Sequence, residues 1–221
     1  MTLSFCNSLL VDIVGQYPGL SVVLEEWGID SCRLAGHSLR AVCALHKLDL
    51  NELCRALELA RQVNPEGLAS LSRSQLVAHV RSAHHDYLRV HLPSLLALCT
   101  QACRLYATQY QQLRHVEEIV RVLVRELDEH VQREEQFAFP WLGSLDLSPL
   151  DLWMLDSLAE ERRKSSFRFN CLRFLTNHFT PPGGAGDSLC RLYSGLRELD
   201  RNFQRHVYVE ERYLFPRQLA A

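Results

Sequence analysis

The chain has 221 residues, 47% apolar and 23% charged, with a formal net charge of −2, the balance of a soluble globular protein with one sizeable core and room for a small appendage. A near-neutral chain without a basic stripe has no electrostatic footprint for nucleic acid. The apolar run from Leu9 to Leu24 is broken by Asp12 and Pro18, so neither a signal peptide nor a membrane span is expected, and the expected location is the cytoplasm with no membrane partner.

In chain order, the first segment reads as short helices. One is expected around Ser8 to Gln16, a second after Pro18-Gly19 up to Trp27-Gly28, a third opening at Ser38, and a fourth from Asp49 to Arg61. Turn and capping residues bound each of them. Asn64-Pro65-Glu66-Gly67 then breaks the pattern, and Ser70 to Ser74 supplies caps for the next helix. The expected division is a small helical module over 1–65 and a bundle over 70–221.

Four long helical patterns fill the second part: 74 to about 104, about 109 to 138, 149 to 178, and 188 to 215. Pro93 should kink the first, because proline lacks the amide donor and crowds the preceding turn. Ser148-Pro149 is an N-cap with proline in the first helical position, and Thr180-Pro181-Pro182-Gly183-Gly184-Ala185-Gly186-Asp187 is an interhelical loop. With no competing strand pattern, the fold class is all-α, an antiparallel up-down-up-down bundle behind the small module.

The bundle contains one phrase written twice. His130-Val131-Gln132-Arg133-Glu134-Glu135-Gln136-Phe137-Ala138-Phe139-Pro140 recurs as His206-Val207-Tyr208-Val209-Glu210-Glu211-Arg212-Tyr213-Leu214-Phe215-Pro216. A His and a Glu four apart share one helical face, so each copy aims an imidazole and a carboxylate at one point. The pairs interrupt apolar seams at matched places: Val116, Val120, Leu123, Leu127, His130, Glu134, Phe137 on the second helix, and Leu192, Leu196, Leu199, Phe203, His206, Glu210, Tyr213 on the fourth. An exposed pair of this kind would be worth only about 0.2–0.5 kcal/mol. On a buried seam, unpaired carboxylates would be costly, so His130, Glu134, His206 and Glu210 are read as metal ligands. Glu135 and Glu211 lie about 100° round the helix, toward solvent or behind the ligands.

The first long helix offers His79, His84, His85 and His91. A seam through His85 takes in Ala78, Leu88, Leu92, Leu95 and Cys99 but also Arg81, whereas one through His84 takes in Val77, Val80, Tyr87, His91 and Leu95. Periodicity does not separate the two. If the halves repeat, the third helix should carry a matching histidine, yet the equivalent positions hold Glu160 and Glu161, which point away from the seam. That seam runs Leu155, Leu158, Arg162, Ser165, Phe169, Leu172, and its interruption is an arginine. A permanently charged guanidinium there would face Glu134 or Glu210 and offset their charge. Eight cysteines, among them Cys6, Cys32 and Cys54, are scattered without a CxxC and read as reduced thiols. No nucleophile–base pair or phosphate-cradling glycine loop points to conventional enzymatic activity.

The small N-terminal module, the bundle and the doubled H-x-x-x-E-E-x-x-x-F-P phrase resemble the bacterial repair-of-iron-centres family of the YtfE/ScdA type, with a hemerythrin-like bundle. The resemblance covers essentially the whole chain, including His85-Asp86, Leu92-Pro93 and Thr180-Pro181-Pro182. It implies a non-haem di-iron centre with His85, His130, Glu134, His206 and Glu210 as carried-over ligands, and it favours His85 over His84. It also implies repair of iron–sulfur clusters under nitrosative or oxidative stress. Damaged iron–sulfur proteins or a scaffold, NO or O2, and a second copy of the chain in a homodimer would be the partners. Two departures stand out. Arg162 falls on the family's ligand histidine of the third helix, and Ser31-Cys32-Arg33-Leu34 replaces a Cys-Cys-Gly-Gly signature, leaving Cys32 as a single accessory thiol. The resemblance implies two irons, and the arginine at position 162 implies one iron, or weakly held iron, in their place. The alternative functions are an O2, NO or metal-binding sensor without repair activity, and a degenerate paralogue acting through protein–protein interaction.

Overall fold

A computed structural model of the chain describes residues 5–17, 20–31, 34–62, 68, 71–142 and 148–215. The chain divides into two compact units, Met1–Leu71 with Val207–Val209, and Ser72–His206 with Glu210–Ala221. No helix among the described residues is long and apolar enough to cross a membrane.

The first unit is built on α1 (Leu10–Gln16), α2 (Leu20–Glu26), α3 (Leu39–His46) and α4 (Leu50–Gln62). The expected caps are in place: the Ser38 hydroxyl accepts from the Ala41 amide, and Asp49 accepts from the amides of Asn51 and Glu52. Phe5, Leu10, Ile13, Leu20, Leu24, Ile29, Leu39, Val42, Leu53 and Leu57 form its core. Each such side chain contributes about 1.5–3 kcal/mol by leaving water. Cys32 and the expected break at Asn64–Gly67 lie outside the described residues.

The second unit has four long helices: α5 (73–106), α6 (113–141), α7 (Pro149–Leu175) and α8 (187–214). Ser72 opens α5 through a capping box with Gln75, and Ser148 opens α7 through one with Asp151, with Pro149 behind it. Successive helices run antiparallel. Thr100 and His85 of α5 meet Glu117 and Glu135 of α6, Glu126 and His130 of α6 meet Arg168 and Glu161 of α7, and Phe169 and Arg162 of α7 meet Phe203 and Glu210 of α8. Gly195 closes the ring, since a Cβ there would stand 2.9 Å from Leu95 Cδ1 on α5. The fold is all-α, an antiparallel four-helix bundle.

Helix α7 ends at Leu175 rather than running to 178. Asn177, His178 and Phe179 take left-handed φ values of 46°, 55° and 57°, and the Thr176 hydroxyl accepts the Phe179 amide at 3.0 Å, which turns the chain out of the helix. Pro93 sits inside the Asp86–Tyr106 α-helical stretch without interrupting its assignment. The irregularity of α5 lies upstream, where Arg81–His85 form a π-turn. Helix α6 carries a second π-turn at Glu134–Ala138 and α8 a third at Glu210–Leu214, each closed by an i→i−5 bond, from Phe139 to Glu134 and from Phe215 to Glu210.

Candidate metal centre

A π-turn inserts one residue into a helix, so the buried seam steps over by one position as it passes. On α6 the seam runs Val116, Val120, Leu123, Leu127, His130, Glu134 and then Ala138, while Phe137, expected on the seam, is 39% exposed. On α8 it runs through His206 and Glu210 to Leu214, and Tyr213 is only partly buried. On α5 the inward line begins on the His84 register with Leu76 and Val80. It ends on the His85 register with Leu88, Leu92, Leu95 and Cys99, and both histidines are buried.

The two histidines do different work. His84 stacks on His206 with ring centroids 5.3 Å apart, and its Nδ1 lies 3.4 Å from Asn202 Oδ1. Burial, reinforced by His206, pushes its pKa down to about 3, so it packs as a neutral ring. His85 turns its Nε2 into the cluster, 3.3 Å from Glu134 Oε2 and 3.4 Å from His206 Nε2.

His85, His130, Glu134, Arg162, His206 and Glu210 are all buried and converge on one point between the helices. His130 Nε2 lies 2.8 Å from Glu134 Oε1; His206 Nε2 lies 3.4 Å from Glu134 Oε2 and 3.1 Å from Glu210 Oε1. From α7, Arg162 donates from Nη1 to Glu210 Oε2 at 3.2 Å and lies 3.6 Å from Glu134 Oε1. Its guanidinium carbon stands 5.8 Å from the centre of the Phe215 ring.

Behind the cluster, two imidazoles are held in one tautomer. His85 Nδ1–H donates to Glu135 Oε1 at 2.8 Å, and Glu135 Oε2 in turn accepts from Arg89 at 2.6 Å. His130 Nδ1–H donates to Glu161 Oε2 at 2.9 Å, and Glu161 pairs with Arg133. A proton fixed on Nδ1 leaves Nε2 as the nitrogen presented to the cluster. Glu161 therefore does not point away, as its place off the α7 seam suggested. It flanks the seam, and its side chain crosses to α6. Glu211, by contrast, is exposed.

Burial alone would lower the His130 and His206 pKa values, but the facing carboxylates raise them to about 9 and about 10. Burial would likewise raise Glu134, yet His130 and His206 hold it well below the usual carboxylate range. Protons thus sit where a cation would otherwise balance the carboxylates, and metal binding must displace them.

The donor set fits a metal ion. His130 Nε2, both Glu134 oxygens and Glu210 Oε1 are buried without any hydrogen bond. The short His130–Glu134 approach thus lacks the alignment of a hydrogen bond. Two triads meet the spacing of ligand groups, His85–Glu134–His206 and His130–Glu134–Glu210, and Glu134 belongs to both. Imidazole nitrogen with carboxylate oxygen suits iron, manganese or zinc.

No family model matches the chain. Proteins named iron–sulfur cluster repair protein YtfE do match it: those of Enterobacter sp. (strain 638), Citrobacter koseri and Escherichia coli are each 25% identical over 223 aligned positions, covering 99% of this chain and 99% of theirs. From end to end, then, the chain is similar to iron–sulfur cluster repair proteins of the YtfE type, and it carries a buried His/Glu cluster in a helical bundle.

Proposed function

We propose that this chain is a non-haem iron-binding protein that repairs iron–sulfur clusters damaged under nitrosative or oxidative stress. The observation that carries the reading is the convergence of buried imidazole and carboxylate donors from His85, His130, Glu134, His206 and Glu210 between the bundle helices, in two triads that share Glu134. These five residues are the candidate ligands. When bound, iron supplies open positions for NO or O2 and, through exchangeable carboxylate ligands, an ion that can be handed on. Glu135 and Glu161 hold His85 and His130 in the ligating tautomer. Burial by the surrounding apolar seams excludes bulk water from the cluster. The clients are damaged iron–sulfur proteins or a scaffold in the cytoplasm, with Cys32 as an accessory thiol and a homodimer as the working assembly.

Anaerobic protein loaded with Fe(II) should restore activity to a cluster-dependent dehydratase inactivated by nitric oxide, and Glu134→Ala protein should not. Bound iron without restoration would favour a sensor of O2 or NO. Absence of any bound metal would favour an interaction protein whose cluster is held by Arg162, a reading motivated by the Arg162–Glu210 ion pair.

A further inference from the structure

We infer that the cluster is built for a single metal ion held by His85, Glu134 and His206, and that the Arg162 guanidinium is the permanent cation at its other end. This rests on the metal-binding reading above and says how many ions the site takes and where.

The two oxygens of Glu134 face different surroundings. Oε2 lies 3.3 Å from His85 Nε2 and 3.4 Å from His206 Nε2, and those two nitrogens are 3.4 Å apart. The three donors make a nearly equilateral triangle, with edges close to those of one face of a tetrahedron around an ion with bonds of about 2.1 Å. Among the described residues, no arginine or lysine is paired with any of the three donor atoms at this end. Two imidazoles and one carboxylate form a three-ligand set that holds one ion and leaves it open to a further ligand.

Oε1 has other neighbours. It lies 2.8 Å from His130 Nε2 and 3.6 Å from Arg162 Nη1, and the same Nη1 binds Glu210 Oε2 at 3.2 Å. An ion in the His130–Glu134–Glu210 triad would share its carboxylates with a guanidinium that stays charged at any working pH. Two cations would then share the same two carboxylates at close range. Arg162 is itself buried, with the Phe215 ring beside its guanidinium, so it has no solvent-exposed position to retreat to without repacking.

The test is an anaerobic titration of the metal-free full chain with Fe(II), and in parallel with Mn(II) followed by electron paramagnetic resonance. One equivalent per chain is expected, with the Mn(II) spectrum of an isolated ion. His85→Ala and His206→Ala should abolish micromolar binding, whereas His130→Ala should cost no more than about tenfold, because its nitrogen lies on the Oε1 side of Glu134, away from the ion. Arg162→His should admit a second ion and give an exchange-coupled Mn(II) spectrum. Two equivalents with a coupled spectrum in the unaltered chain would overturn this inference and leave the iron-binding reading intact. So would loss of binding in His130→Ala equal to that in His85→Ala, with helical content unchanged by circular dichroism. No binding by the unaltered chain would overturn both. The stoichiometry of the unaltered chain decides the matter even where a variant does not fold.

Discussion

Three bundle helices, α5, α6 and α8, leave α-helical register beside the cluster, and the fourth, α7, does not. The helices with π-turns supply the short donors, His85, His130, Glu134, His206 and Glu210. The regular helix supplies the long one, Arg162. An imidazole or carboxylate must bring its backbone close to the metal point, and the wide turn lets the chain do so while the apolar face resumes one position later. Arginine reaches the same point from an unaltered seam, flanked by Leu158 and Ser165. The difference shows two ways to put charge into one core: bend the helix to a short side chain, or leave it straight and send a long one.

The largest expected effect comes from removing the cation on the regular helix. In metal-free protein, Arg162→Gln removes the permanent cation and leaves Glu134 and Glu210 with only the protonated His130 and His206 to balance them. Breaking one partner out of a buried ionic group costs about 3–5 kcal/mol, read as a loss in urea unfolding free energy. Added Fe(II) should return a large part of it, because binding to the native state alone stabilises it by mass action. A loss below about 1 kcal/mol would mean that the two imidazolium groups suffice without the arginine.

The residues behind the ligands come next. Glu135→Gln and Glu161→Gln keep a hydrogen-bond acceptor for the imidazole but lose the charge. The expected cost is about 10–100-fold in metal affinity for a group that orients a ligating histidine, measured by competition with a chelator. If only the His85–Glu134–His206 end holds metal, Glu135→Gln should cost more than Glu161→Gln. Equal losses would place the two ends on the same footing.

The four long helices, their caps at Ser148 and near Ser72, and the inward run of His130, Glu134, His206 and Glu210 were readable from periodicity, because each is a local signal repeated over many turns. The register shifts were not. Phe137-Ala138-Phe139 and Tyr213-Leu214-Phe215 offer apolar residues in both registers, so a slip of one position leaves no hydrophobic penalty to read. The His84–His85 ambiguity has the same origin, since each seam is correct on one side of the π-turn. Glu161 escaped because its partner, His130, comes from a neighbouring helix, and no pattern within α7 encodes that crossing. The end of α7 escaped because left-handed φ at Asn177, His178 and Phe179 lacks the glycine that usually announces it.

The π-turn itself can be removed. Deleting Gln136 takes the extra residue out of α6 and lets the helix close its ordinary i→i−4 ladder with Ala138 still on the inward face. The fold should survive within about 1 kcal/mol by thermal unfolding, since the buried residues on either side keep their faces. Metal affinity should fall by roughly tenfold, the size of effect seen when the support of a ligand is disturbed. Unchanged affinity would show that the wide turn serves packing alone.

The smallest effect tests whether burial is what distinguishes Arg162. Arg168 on α7 makes a forked pair with Glu126 on α6, both bonds at 2.5 Å, with side chains 29% and 25% exposed. The Arg168 hydrogen bonds outweigh the burial that would raise Glu126, and its carboxyl is held below the usual range. A depressed folded-state pKa adds stability that is present above the unfolded value, near 4.3, and lost as pH falls through the folded value. Glu126→Gln should therefore lose about 1 kcal/mol or less relative to the unaltered chain at pH 7, the gap should close as pH falls through the lowered folded-state value, and added salt should narrow it. Comparing the two proteins at each pH cancels the titration of the cluster, which both share. Should this half-exposed pair cost as much as Arg162→Gln, an ordinary interhelical salt bridge would account for both, and the cluster cation would lose its special standing.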